Sequence, residues 1–234
     1  MIKTNNDDVT DEKELCMWGR HIMMGYAYRE DATRKDMTED GWLRTGDLAD
    51  IDNEGYHRIV GREKDLIITA GGENIAPQPI HEEVKKRLPI ISQVLLLGDK
   101  QKFCSTFLTL AVDVDPDTME PSNKLTSAAL DWCRYIEKNL SYQESNIFFA
   151  RSVGSNANTV QDVLKGPDSN IMRGIQAGID AANKEAVSNA QKIQKWMIIP
   201  RDFSIPGGEI GPTMKVKRQH VVKMYQKQIN KIYS

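Results

Sequence analysis

The spacing of hydrophobic and polar positions changes at a charged, weakly periodic stretch, Gly61-Arg62-Glu63-Lys64-Asp65. Before it, apolar residues come in short clusters closed by glycine, a pattern of strands and turns. Residues 15–18 end at Gly19 and residues 22–24 at Gly25, so two strand-like stretches are expected there. One helical turn is expected at 31–36, followed by the turn-rich 38–41 and then Trp42-Leu43-Arg44-Thr45-Gly46-Asp47-Leu48. Asp52-Asn53-Glu54-Gly55 has the composition of a hairpin turn, and residues 49–51 and 56–60 predict two antiparallel strands meeting there.

Beyond residue 65 the periods lengthen. Residues 66–69 read as a strand entering a loop at Gly71-Gly72. Val84 and Leu88, at i and i+4, predict a short amphipathic helix at 81–88, started at or after Pro77 or Pro79. Strands are expected at 93–97 and 103–114, and helices at 125–134 and about 168–194. The second helix would align Ile171, Ile175, Ile179, Ala182, Ala186, Ala190 and Ile193 on one face. Residues 196–199 then read as a last core strand. In 213–234, Val221, Val222, Tyr225 and Ile229 repeat at helical spacing beside six basic residues and no acid, which reads as a solvated amphipathic helix. The glycine-rich 206–213 just before it would present Lys215.

Composition adds bounds. With 40% hydrophobic and 27% charged residues, the 234-residue chain can build a core and is neither disordered nor collagen-like. A net charge of −2 gives no global field for nucleic acid or an anionic membrane, so no nucleic-acid partner and at most peripheral membrane contact are expected. Apolar runs are far shorter than a membrane span of about 20 residues. Cys16, Cys104 and Cys133 lack metal-finger spacing and read as reduced thiols of a cytosolic protein, with no metal site. His57 and His81 lie near no nucleophile elbow and read as surface or packing histidines; Trp18, Trp42, Trp132 and Trp196 read as core.

Leu43-Arg44-Thr45-Gly46-Asp47-Leu48 and Gly61-Arg62-Glu63-Lys64-Asp65 form an ordered pair, with Arg62 fifteen residues after Asp47. Glu14-Leu15, Gly19 and Gly25-Tyr26 precede it; Ala70-Gly71-Gly72-Glu73-Asn74 and Pro212-Thr213-Met214-Lys215-Val216-Lys217-Arg218 follow. This succession resembles the adenylate-forming superfamily of acyl-CoA synthetases, luciferases and nonribosomal adenylation domains. Trp18-Gly19-Arg20-His21, Ile68-Thr69-Ala70-Gly71-Gly72-Glu73-Asn74 and Met214-Lys215-Val216-Lys217-Arg218 are similar to the bubblegum-type long-chain acyl-CoA synthetases, and the resemblance covers nearly the whole chain.

The resemblance implies an α+β fold. Residues 1–61 would be the end of a large, β-rich adenylation domain, 62–65 a hinge, and 66–234 a small mobile domain with a short mixed or antiparallel sheet and flanking helices. It implies a ligase that joins a long-chain fatty acid to ATP as an acyl-adenylate, releasing diphosphate, and then passes the acyl group to coenzyme A, releasing AMP. Asp47 would accept hydrogen bonds from the ribose diol, and Arg62 would add ribose or phosphate contacts; alone, Asp47 reads equally as a turn or cap carboxylate. Lys215 would deliver its ammonium to the α-phosphate, and is favoured over Lys217 although Thr213-Met214-Lys215 lacks the glycine of the usual Ser-Gly-Lys. Lys64 falls at the hinge, or is a plain linker lysine. Gly71 and Gly72 would approach the pantetheine arm of coenzyme A, with a simple turn as the competing reading of Gly72.

Three departures are visible. The Ser/Thr/Gly-rich phosphate loop and the aromatic-Gly-x-Thr-Glu stretch of such enzymes do not occur in this chain, so the acyl tunnel and the ligands of ATP-bound Mg2+ are expected in an upstream large domain. Alone, the chain is expected to be an incomplete and inactive part. Lys13 precedes Glu14 where the family has glycine, and residues 135–151 read as an insertion. The rival expectation is a truncated, non-catalytic module that binds a nucleotide, acyl-CoA or a full-length partner. The resemblance places the protein in the cytoplasm or at the surface of the endoplasmic reticulum.

Overall fold

The computed structural model describes residues 2–4, 13–134, 154–165 and 169–234. The expected insertion at 135–151 lies outside the described residues. The chain divides into two compact units, one over 1–68 and 74–79, the other over 69–73 and 80–234.

The first unit is built on an antiparallel sheet in the order β1 (Ile2–Thr4), β2 (Lys13–Met17), β3 (Leu43–Ile51) and β4 (His57–Arg62). Strands β3 and β4 meet at the expected hairpin. The Asp52 carboxylate accepts the Glu54 and Tyr56 amides, both at 2.9 Å, and Gly55 takes the left-handed conformation at φ 87° that closes the turn. Helix α1 (Glu30–Asp36) is the expected helical turn, with acids in its first turn and bases in its last, a distribution that opposes the helix dipole. The stretch at 22–24 forms turns, not a strand, since the Ile22 amide bonds back to the Gly19 carbonyl at 3.1 Å. Trp18 is also not core: it is 45% exposed, its indole beside Gly41 of the 38–41 turn. Strands β5 (Ile67–Ile68) and β6 (Asn74–Ile75) pair antiparallel, burying Ile67 and Ile75.

Helix α2 (Pro77–Arg87) begins at Pro77, whose fixed φ suits a first helical position and whose missing amide has no helical partner there in any case. The second unit centres on a mixed sheet of β7 (Ile91–Leu97), β8 (Cys104–Leu110) and a final strand beside β8. All seven residues of β8 are buried, as befits a central strand. The long expected strand 103–114 breaks at Ala111, after which β9 (Val112–Val114) pairs with β10 (Pro121–Leu125). Leu125 therefore belongs to a strand, and helix α3 (Ser127–Arg134) starts two residues later. Helix α4 (Val160–Lys165) buries Val160 and Val163.

Helix α5 (Ser169–Asn183) buries Ile171, Ile175 and Ile179, each worth about 1.5–3 kcal/mol on removal from water. It stops well before residue 194. The Asn183 side chain donates to the Ile193 carbonyl at 2.9 Å and accepts the Ile193 amide at 2.8 Å. Ile193 therefore opens strand β11 (Ile193–Ile199), which runs parallel to β8 with Trp196 opposite Thr106. A parallel neighbour needs a long crossover, and the chain between β8 and β11 supplies it. Gly178 admits the crossing of α5 over Leu88: a Cβ there would lie 2.4 Å from Leu88 Cδ2.

One sheet face carries Leu95, Leu97, Phe107 and Ile199, packed against Val221 of helix α6 (Arg218–Met224) and Ile229 and Ile232 of helix α7 (Gln226–Tyr233). The C-terminal amphipathic pattern is thus two short helices with a break at Tyr225. No helix among the described residues is long and apolar enough to cross a membrane.

His81 is a packing histidine, as expected. Its Nε2 accepts the Leu96 amide at 3.0 Å, and burial, with Arg218 and Lys85 nearby, pushes its pKa down to about 3. In the unfolded chain the imidazole takes a proton near 6.5. Between those values the unfolded state holds the extra proton, so acidification favours unfolding by about 1.4 kcal/mol per pH unit. Denaturant titrations from pH 7 to about pH 4.5 are expected to show this loss in the wild type and a shallower one in His81→Gln. Parallel pH profiles for the two proteins would refute it.

Candidate functional site

Strand register brings two of the expected site residues together. Asp47 on β3 lies opposite Arg62 on β4, and Arg62 Nε donates to Asp47 Oδ1 at 2.8 Å. Asp47 is 27% exposed and Arg62 55%, so the pair stands at the surface of its unit, where an ion pair adds little stability. Its local backbone is unusual. Glu14 pairs with Leu48 and Cys16 with Arg44, so Leu15 faces three residues of β3, Thr45, Gly46 and Asp47. This bulge re-aims the strand at the carboxylate. Gly46 allows it at φ 70°, and nothing lies within 4 Å of where its Cβ would be.

Buried Glu14 holds the bulge. One carboxylate oxygen accepts the Gly46 amide at 3.0 Å and the other accepts Arg44 Nε at 2.8 Å. Thr45 Oγ1 adds a donor bond to the Leu15 carbonyl at 2.7 Å and accepts the Asp47 amide at 3.1 Å. Sequence reasoning placed Glu14 in a motif without giving it a task; a carboxylate at the start of an apolar strand was the available signal. Lys64 is exposed in the single 3₁₀ turn Glu63–Asp65 that follows Arg62.

The second unit holds the other candidates. Gly71 and Gly72 lie in an exposed loop tied by Thr69, whose carbonyl accepts the Gly72 amide at 3.0 Å and whose hydroxyl accepts the Glu73 amide at 3.2 Å. The Ala70 amide donates to the Gln101 carbonyl at 2.9 Å, and Gly72 has φ 81°. Lys215 stands exposed on a tight hairpin closed by the Ile210–Val216 bridge and the Gly211 amide bonding the Lys215 carbonyl at 2.8 Å. Val216 packs against the core, so alternation sends Lys215 and Lys217 to the opposite side. Lys217 Cε lies 3.6 Å from the Cβ position of Gly211, folded onto the hairpin, while Lys215 is at its tip.

Met214 occupies the left-handed region at φ 60°. That conformation explains the glycine of the usual Ser-Gly-Lys, because a side chain there costs about 1–2 kcal/mol. Met214→Gly is expected to be neutral or to stabilise by up to about 1 kcal/mol, the relief being partly offset by unfolded-chain entropy. Met214→Val is expected to destabilise, and the reverse order in melting experiments would contradict this geometry.

Residues 156–234 match the family model described as the AMP-binding enzyme C-terminal domain. The fold is similar to the adenylation domain of a carboxylate reductase from Mycobacterium chelonae, with TM-score 0.67 and 15% identity, covering 100% of this chain and 31% of that one. It is also similar to o-succinylbenzoate CoA synthetase from Bacillus subtilis in complex with its acyl-adenylate intermediate, with TM-score 0.56 and 20% identity over 94% of this chain and 33% of that one. These likenesses show the fold: a mixed α and β architecture shared with adenylation domains. The sequence carries the assignment further. It is 46% identical over 231 residues to the long-chain-fatty-acid–CoA ligase ACSBG2 of Xenopus laevis, covering 99% of this chain and 29% of that protein. The chain spans less than a third of the length of the curated relatives it matches. It is homologous to the C-terminal portion of the bubblegum-type long-chain-fatty-acid–CoA ligases.

Proposed function

We propose that this chain supplies the C-terminal part of an ATP-dependent long-chain-fatty-acid–CoA ligase, completed by an upstream large domain. The observation that carries the reading is the Asp47–Arg62 pair on its bulge. A buried glutamate and a glycine in the left-handed conformation hold a half-exposed carboxylate that is of little use to stability, as a ligand-binding carboxylate requires. Asp47 accepts from the ribose hydroxyls of ATP, and Arg62 orients it and adds a fork of donors toward ribose or phosphate. Lys215 brings its ammonium to the α-phosphate, where charge builds as the fatty-acid carboxylate attacks.

Residues 62–65 form the hinge in this proposal, with Lys64 as the pivot that lets the small domain serve one half-reaction and then the other. Gly71 and Gly72, side-chain-free and exposed, fit a close backbone approach of the pantetheine arm of coenzyme A. Mg2+ enters bound to ATP, its protein ligands lying upstream. A cytoplasmic location, peripheral at the endoplasmic reticulum, belongs to the same proposal.

The test is complementation. The chain is mixed with, or fused to, the upstream portion of the Xenopus laevis relative and assayed with ATP, palmitate and coenzyme A. Thioester formation in the combination and not in either part alone is the expected result. A folded chain that yields no thioester in any combination would overturn the proposal.

A further inference from the structure

The reaction as proposed makes no use of Glu209, yet the carboxylate is 3% exposed and has no ion-pair partner among the described residues. A buried, uncompensated carboxylate is costly unless its oxygens are well bonded. Its bonds are specific. One oxygen accepts the Ser204 amide at 3.3 Å and the other accepts the Tyr225 hydroxyl at 3.2 Å. Tyr225 is a neutral donor, its pKa pushed up to about 12 by burial and by Glu209 itself. The Glu209 carbonyl accepts the Lys217 amide at 2.7 Å, and Ile210 beside it bridges Val216.

Glu209 therefore ties three places, two through its carboxylate and one through its backbone carbonyl. Ser204 lies where the chain enters the glycine-rich loop, the Glu209–Lys217 backbone bond closes the Lys215 hairpin, and Tyr225 marks the break between α6 and α7. The loop is shaped around the carboxylate. A Cβ on Gly207 would lie 2.1 Å from Glu209 Oε2, and the Gly207 amide is taken by Ser204 Oγ at 3.0 Å. Tyr225 is anchored between Phe107 and Phe203, with ring centroids 6.0 and 6.1 Å away.

We infer that Glu209 is a positioning residue for Lys215: its carboxylate clamps the base of the hairpin to the core through Ser204 and Tyr225. This rests on the reading of Lys215 as the lysine of adenylate formation. Glutamine is a poor probe of this clamp, because its oxygen can keep the Ser204 amide while its nitrogen donates to the Tyr225 hydroxyl oxygen; Glu209→Ala removes both bonds.

The clamp is tested first without reference to activity, by hydrogen exchange on the whole 234-residue chain. Glu209→Ala is expected to speed exchange of the Ser204, Gly211 and Lys217 amides about tenfold, while β7 and β8 amides keep their protection. Tyr225→Phe, which removes one bond and keeps the ring, is the milder variant should Glu209→Ala unfold. Unchanged exchange at those three amides in the folded variants would overturn the clamp, as would equal acceleration throughout the sheet.

Its consequence for catalysis is read in the chain completed by the upstream portion of a relative. Both variants are expected to lower kcat of adenylate formation about tenfold, with the KM for ATP and thioester formation from supplied acyl-adenylate within about twofold. Equal loss in both half-reactions would mark Glu209 as merely structural. Should Lys215→Ala leave adenylation unchanged in the same system, the reading of Lys215 fails, whatever the exchange experiment shows for the clamp.

Discussion

Lys215→Ala is expected to lower acyl-adenylate formation by on the order of 10²- to 10³-fold while leaving thioester formation from supplied acyl-adenylate near the wild-type rate. The asymmetry follows from placement and charge. Lys215 is exposed at the tip of a hairpin held by short backbone bonds, so its removal leaves the core cluster of Phe107, Val221 and Ile229 untouched. On the proposed role, what is lost is one mobile positive charge at a phosphate that gains negative charge only as the first bond forms. An interaction made in the transition state alone lowers kcat and kcat/KM together. Diphosphate exchange reads the first half-reaction, and thioester release from a synthetic acyl-adenylate reads the second. Equal losses in both would remove the role given to Lys215. Lys217→Ala, which alters the lysine folded onto Gly211, is expected to cost far less.

Asp47→Ala should raise the KM for ATP by on the order of 10²-fold. Two hydrogen bonds from ribose hydroxyls to a charged acceptor disappear, each worth about 1.5–3 kcal/mol, and Arg62 loses the partner that aims it. Since Arg62 acts partly through Asp47, the double variant Asp47→Ala/Arg62→Ala should fall well short of the product of the single effects. Fully independent losses, or an unchanged KM for ATP with only kcat reduced, would argue against a ribose ligand at Asp47. Folding should be little affected, because the pair stands at the surface of its unit; thermal melting of the single variants checks this.

Local chemistry was the legible part of this chain. The hairpin at 52–55 was readable because turn residues and flanking alternation agree, and α2 because a proline precedes a clear i, i+4 pair. Asp47, Arg62 and Lys215 stood out as motif positions. Long-range contacts decided the rest. Ile193 continues the helical spacing of α5, with Ala186 and Ala190 between, yet Asn183 bonds both backbone groups of Ile193 and hands it to β11. No periodicity could give the order of β11, β8 and β7, since the parallel partner of β8 comes far along the chain. Glu14 stands in a motif without a task and Glu209 only within the glycine-rich 206–213, and the fold alone shows that each is buried to hold a glycine-containing loop. The exposed Trp18 was misread for a related reason: an indole beside a turn has no sheet face to cover it.

The three cysteines are all buried and none is in a disulfide, and burial pushes the Cys104 thiol up to about 11. Native chain should therefore be nearly silent toward maleimides, with the three thiols reacting only as it opens. That silence makes the wild-type sequence a ready background for site-specific labelling. Cysteines introduced at Glu54 and Lys231, both exposed and outside the proposed site, would carry a pair of dyes without first stripping the natural thiols. The swing proposed for the small domain could then be followed as a change in dye separation during turnover.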